Sequence, residues 1–208
     1  MPTPAFDLYL VSDRKLTGGR DLLWVLEQAL EGGAPAVQLR EKDLSGRELF
    51  YLAEKTRKLC LDHKAGLFVN DRIDVALAVD ADGVQLGNDS IDVAKARELL
   101  GQNKLIGAST HSFEEATAAE QSGADFILFG PVYFTPSKAI YGAPQGLPAL
   151  EKIVQNVSVP VYAIGGIKLD NLAEVKTVDV DGIALISAVI AASDPKEATR
   201  RILARLRR

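Results

Sequence analysis

Short β-rich apolar runs alternate with longer amphipathic stretches along the whole chain, and this alternation constrains the fold more than any other feature. The strand-like runs are FDLYLVSD, AVQLRE, GLFVND, GVQLG, LIGAST, FILFGPV, VPVYAIGG and GIALIS. Between them RDLLWVLEQALEGG, SGRELFYLAEKTRKLCLDH, DVAKARELLG, SFEEATAAEQSG and LPALEKIVQN repeat apolar residues at helical spacing. After the third run, DRIDVALAVDA has room only for a short helix; KLDNLAEVKTV supplies the seventh helix and AVIAASDPKEATRRILARL the eighth. Strand–helix alternation gives βαβ units and a parallel sheet. Eight such units predict an α/β protein of one compact domain over residues 1–208, a (β/α)8 TIM barrel near the short end for that fold. A doubly wound open sheet is the rival, but the turn after the first run, VSDRKLTGGR, lacks its G-x-G-x-x-G fingerprint.

Composition narrows the partners. The chain is 47% apolar and 25% charged, with a formal net charge of -4. That is globular composition with no overall field for nucleic acid. The basic ending RRILARLRR carries Ile202, Leu203 and Leu206 at helical spacing, so its cations read as complements to a helix C-terminus. Cys60 is the only cysteine, excluding an intrachain disulfide, and is expected on the half-buried face of a helix. No apolar run approaches membrane-spanning length and the start has no leader pattern. A cytoplasmic protein with neither a membrane nor a nucleic-acid partner is expected.

In a barrel of this kind, chemistry is built at the C-terminal ends of the strands. The second run ends Gln38-Leu39-Arg40-Glu41-Lys42. Alternation puts Gln38, Arg40 and Lys42 on one face, and apolar Leu39 suits the outer helix layer, so the amide and two cations face the mouth. The third run ends Asn70-Asp71: an Asx residue here either caps the next helix or, beside Arg40 and Lys42, carries a divalent ion. The fifth run ends Ser109-Thr110-His111-Ser112. Ser112 with Glu115 reads as a capping box, and His111 is either a loop histidine or a proton-transfer group. His63 reads as a helix C-terminal cap. The segment TPSKAIYGAPQG (135–146), after the sixth run, is the one long irregular insert and would sit at the mouth. Gly165-Gly166 after the seventh run and Ser187 after the eighth are placed where barrels bind phosphate through backbone N–H groups. A phosphate pocket facing Arg40, Lys42 and Lys138 suits an enzyme acting on phosphorylated small molecules.

Taken as an ordered set, VQLREKDLS, VNDRIDVALAVDADGVQLG, IGASTHSFEEA, GADFILFGPVYFTPSK, VPVYAIGGI and DGIALISAVI resemble the thiamine-phosphate synthase (thiamine-phosphate pyrophosphorylase)/TenI family. The resemblance runs from the second strand to the eighth. It implies a transferase of thiamine biosynthesis that joins 4-amino-2-methyl-5-hydroxymethylpyrimidine diphosphate to thiazole phosphate, releasing pyrophosphate by a dissociative route. It implies that Gln38 contacts the pyrimidine, that Arg40, Lys42, Asn70 and Lys138 contact the diphosphate, and that Ser109 contacts the pyrimidine substrate. Thr135, Pro136 and Ser137 match the thiazole-phosphate loop, with Ser137 where threonine is usual. Gly166, Ile186 and Ser187 match its backbone ligands. Mg2+ is the implied metal, with Asp71 as one ligand, and a homo-oligomer is expected.

The chain departs from the family at the fourth loop. The family pattern G-Q-x-D ends in a second magnesium ligand, whereas here Gly87-Asn88-Asp89-Ser90 puts Ser90 at that position. A hydroxyl is a weaker ligand than a carboxylate. Asp89 is the candidate stand-in, provided Ser90 rather than Asp89 caps the next helix, with Asp92 in its first turn. Two alternatives to the synthase stay open: a TenI-like thiazole tautomerase, for which His111 matches the catalytic position, and a non-catalytic phosphate-sensing regulator. The set Gln38, Arg40, Lys42 and Lys138 favours the synthase, because a tautomerase has no diphosphate to neutralise.

Overall fold

The structure, a computed structural model, describes residues 3–135 and 143–207. Eight parallel strands close into one barrel in chain order: β1 (Leu8–Val11), β2 (Ala36–Leu39), β3 (Gly66–Asn70), β4 (Gly83–Leu86), β5 (Leu105–Thr110), β6 (Phe126–Phe129), β7 (Val161–Ile164) and β8 (Gly182–Leu185). Each expected strand is present, most of them trimmed by one to four residues and β5 kept whole. The outer layer holds α1 (Leu22–Glu31), α2 (Gly46–Asp62), α3 (Ile73–Ala78), α4 (Val93–Leu100), α5 (Phe113–Gln121), α6 (Gly146–Val154), α7 (Leu172–Lys176), α8 (Ser187–Ile190) and α9 (Pro195–Leu206). The expected eighth helix is therefore two. Asp194 caps the longer one by accepting from Glu197 N at 2.9 Å, and Pro195, which cannot supply an interior N–H, starts it.

Two apolar layers follow from strand alternation. Outward side chains such as Leu39, Val69, Ile106 and Ile183 pack under the helices, and inward ones such as Tyr9, Phe68, Phe126 and Tyr162 fill the barrel. Phe6 plugs the floor, its ring 4.8 Å from that of Tyr162 and 5.5 Å from that of Phe68. Space for these rings comes from directly paired glycines: Phe68 faces Gly83, Phe126 faces Gly107 and Tyr162 faces Gly182. A Cβ on Gly182 would lie 2.7 Å from the Tyr162 ring, closer than packed atoms tolerate.

Aspartates clasp the floor. Asp82, Asp125 and Asp181 precede β4, β6 and β8, and their carboxylates accept N–H groups in the first two residues of the neighbouring strands: Leu67 N at 2.7 Å, Ile106 N at 2.6 Å and Val161 N at 2.8 Å. Arg57 and Arg97 in turn pair with Asp82 and Asp125. Cys60 is fully buried on α2, deeper than the half-buried placement expected from sequence. Burial, reinforced by the Asp82 carboxylate, pushes its thiol up to about 12.

Candidate active site

Above the aromatic floor the barrel interior turns polar. Gln38 and Gln85 point inward from β2 and β4 and are both buried. Gln38 Nε2 and Gln85 Oε1 have no hydrogen-bond partner among the described residues. Unmet buried amides are costly, and at a barrel mouth they suit a ligand that supplies the missing partners. Gln85 Nε2 donates to Ser109 Oγ at 3.0 Å, so the expected substrate contact at Ser109 rests on a second amide. Alternation in GVQLG marks Gln85 as inward by the rule that marks Gln38, but the sequence reading did not single it out.

Arg40 and Lys42 leave the end of β2 on either side of Glu41, which turns the other way. Glu41 is buried and accepts Ser12 Oγ–H at 2.6 Å, Arg14 N at 3.2 Å and the Arg14 guanidinium at 3.2 Å. Ser12 Oγ accepts Arg40 N at 2.9 Å. The acid between the two cations is thus the anchor of their loop, tied to the end of β1. Asp43 pairs with Arg14 and Lys15, whose cations hold its carboxyl well below the usual carboxylate range. Arg40 is half-buried and Lys42 exposed.

Asp71 does not take the capping role offered by the sequence: Arg72 stands at the start of α3 without a side-chain cap. With φ at 59°, Asp71 turns its carboxylate into a network at the mouth. Asn70 Nδ2 donates to Oδ2 at 2.6 Å, Lys42 Nζ lies 3.9 Å from Oδ2, and the Ser90 hydroxyl donates to Oδ1. Ser90 Oγ accepts Gly87 N at 2.7 Å. Ser90 therefore does not cap α4, and neither does Asp89: Asp92 takes the cap position, with no side-chain cap bond. Asp89 is exposed and makes no hydrogen bond or ion pair among the described residues.

The donor set fits a divalent cation in part. Asp71 offers carboxylate oxygen beside Ser90, but among the described residues no group of three or more His, Cys, Asp or Glu side chains could hold a metal. A Mg2+ ion here would need most of its oxygen ligands from substrate and water.

His111 follows β5. Its N–H donates to Glu115 Oε2 at 2.7 Å and its Nδ1 lies 3.3 Å from the same oxygen. Ser112 does cap α5, accepting Glu115 N at 3.1 Å, but the Glu115 carboxylate reaches His111 N and Asn88 Nδ2 instead of closing the expected capping box. His63 stands at the C-terminus of α2, as expected.

On the far side, the β6 loop runs along the end of β7: Val132 N donates to Ile164 O at 2.9 Å and Tyr133 N to Gly165 O at 3.0 Å. A Cβ on Gly166 (φ 66°) would lie 2.7 Å from the Phe134 carbonyl oxygen, so the glycine admits that loop as well as any anion. Asn171 Nδ2 donates to Gly166 O at 3.0 Å. Ile186 precedes α8 and Ser187 opens it; Val189 N and Ile190 N donate to Ile186 O, which leaves the N–H groups of Ser187 and Ala188 without an intrahelical acceptor. Thr135 lies at the edge of the described β6 loop; Pro136, Ser137 and Lys138 lie outside the described residues.

Fold and mouth together define a (β/α)8 barrel with cations, amides and carboxylates at the C-terminal ends of its strands. Residues 8–189 match the family model described as thiamine monophosphate synthase. The chain belongs to that family. A Geobacter sulfurreducens protein is 53% identical over 201 residues, spanning 97% of this chain and 94% of its own. The thiamine-phosphate synthase of Moorella thermoacetica is 46% identical over 199 residues, spanning 96% and 95%. The solved thiamine phosphate pyrophosphorylase from Pyrococcus furiosus superposes with a TM-score of 0.89 at 44% identity, covering 97% of this chain and 96% of that one. A solved 3-hexulose-6-phosphate synthase, 18% identical with a TM-score of 0.68, shares the fold alone.

Proposed function

We propose that the chain is a thiamine-phosphate synthase, a transferase that condenses hydroxymethylpyrimidine diphosphate with thiazole phosphate and releases pyrophosphate. The observation that carries this reading is the anchored β2 end: Glu41 fixes the loop that follows Arg40 and sets Lys42 3.9 Å from Asp71, a placement suited to a diphosphate leaving group. In this reading Gln38 holds the pyrimidine, Ser109, supported by Gln85, contacts the same substrate, and Asn70 and Lys138 complete the diphosphate contacts. Thr135, Pro136 and Ser137, with Gly166, Ile186 and Ser187, take the thiazole phosphate. A positioned cation cluster lowers the barrier by stabilising charge that grows on the leaving group, and the barrel mouth aligns the attacking thiazole nitrogen. Mg2+, held by Asp71 with Asp89 not engaged, would add neutralising charge on the diphosphate.

The test is a coupled assay with both substrates and magnesium. Pyrophosphate release is expected, and Arg40→Ala should lower turnover by about 100-fold or more, the scale of losing one such donor, with circular dichroism unchanged. His111-dependent isomerisation of the thiazole carboxylate phosphate without pyrophosphate release would replace the synthase by the tautomerase reading.

A further inference from the structure

Gln85 lies inside β4, 1% exposed, and its amide reaches across the seam to β5, where Nε2 donates to Ser109 Oγ at 3.0 Å. A glycine sets the other end of the amide. Gly107 pairs directly with Gln85, and a Cβ there would lie 2.4 Å from Gln85 Oε1 and 2.4 Å from the tip of the Phe126 ring. The amide oxygen therefore occupies room that only a glycine leaves. Reversing the amide would put an NH2 group in that slot with its protons unmet, and orphaned buried donors are rarer than under-satisfied carbonyls. The donor end belongs on Ser109. Ser109 is half-buried near the end of β5, and its hydroxyl has no acceptor among the described residues. A hydroxyl has one proton and two acceptor sites. With an acceptor site committed to Gln85, the proton is left for the mouth.

We infer that Gln85 is a positioning residue that holds Ser109 as a hydrogen-bond donor toward the mouth, so that Ser109 recognises an acceptor atom of the pyrimidine diphosphate rather than a donor. The inference rests on the synthase reading and fixes the polarity of one contact in that site. Titration calorimetry with the pyrimidine diphosphate reads binding without turnover. Gln85→Met keeps the length of the side chain and removes its N–H groups. It should weaken binding about tenfold in the wild-type background, the scale of one misaimed hydrogen bond. In Ser109→Ala, where no hydroxyl remains to be aimed, the same substitution should change binding by less than about twofold. Equal losses in the two backgrounds, or no loss in either, would overturn the inference and leave Gln85 a packing residue. A second reading needs no change at Gln85: the Nε2 protons of its side chain should exchange with solvent more slowly in wild type than in Ser109→Ala, followed by nuclear magnetic resonance. Equal exchange rates would overturn the inference even if Gln85→Met fails to fold. Wild-type protein that binds no pyrimidine diphosphate would overturn the proposed function and this inference together, whereas binding with independent losses would overturn the inference alone.

Discussion

Glu41 shows how one residue positions others. Its carboxylate is buried in the β1–β2 junction and ties the loop that carries Arg40 and Lys42 to the end of β1. Glu41→Ala would strand the Ser12 hydroxyl proton and the Arg14 backbone N–H, while the Arg14 guanidinium keeps Asp43, a loss of about 1–3 kcal/mol for groups left without partners. Melting should fall accordingly, and the KM for the pyrimidine diphosphate should rise about tenfold as the loop loosens, one decade corresponding to about 1.4 kcal/mol. A lowered melting temperature with unchanged KM would confine Glu41 to stability. In the sequence, the parity of Gln38, Arg40 and Lys42 was legible because apolar Leu39 identifies the outward face. The partner of Glu41 was not, since Ser12 lies 29 residues away and nothing local announces the bond. Ser90 was legible only as a departure from the family's loop. Its bond to Asp71 crosses between two strands and depends on the barrel closing.

Among the elements, the strands were read most faithfully, because runs such as LIGAST and GIALIS are bounded by turn residues and by their own β-branched character. The last helical stretch was misread as continuous; Asp194 and Pro195 are a start signal lying inside an otherwise periodic segment. The floor aspartates are a repeated device at this scale, visible in the sequence as ADG, ADF and VDG but explained only once neighbouring strands pair. Asp181→Ala removes the acceptor for Val161 N, exposing an unmet N–H at the β7–β8 seam. The expected cost is about 1 kcal/mol, or about 2–4 °C in melting temperature for a chain of this size. Hydrogen exchange at Val161 should quicken ahead of global unfolding; unchanged exchange there would mean that the clasp contributes nothing.

The whole molecule is a barrel with a buried aromatic floor, a polar upper interior and a charged mouth, so stability and chemistry occupy opposite ends. Burial of Cys60 belongs to the stability of the whole. Its folded thiol titrates near 12, above the ordinary 9.0, so the folded state keeps the proton that the unfolded chain releases. Its contribution is therefore fully present below pH 9 and is lost as the pH rises from there toward 12. Denaturant unfolding should weaken by about 1 kcal/mol between pH 8 and pH 10, and Cys60→Ala should remove that part of the dependence; an identical slope in both proteins would contradict it. The barrel class was legible from strand–helix alternation alone, whereas the mouth became specific only through family motifs. Its Asp71–Ser90 link and the Gln85 support of Ser109 needed the closed sheet. The most direct test of the central claim is mass-spectrometric detection of thiamine phosphate after mixing the protein with both substrates and Mg2+. The synthase account predicts thiamine phosphate and pyrophosphate in equal amounts, strongly reduced in Arg40→Ala. Intact substrates after prolonged incubation with folded wild-type protein would contradict it.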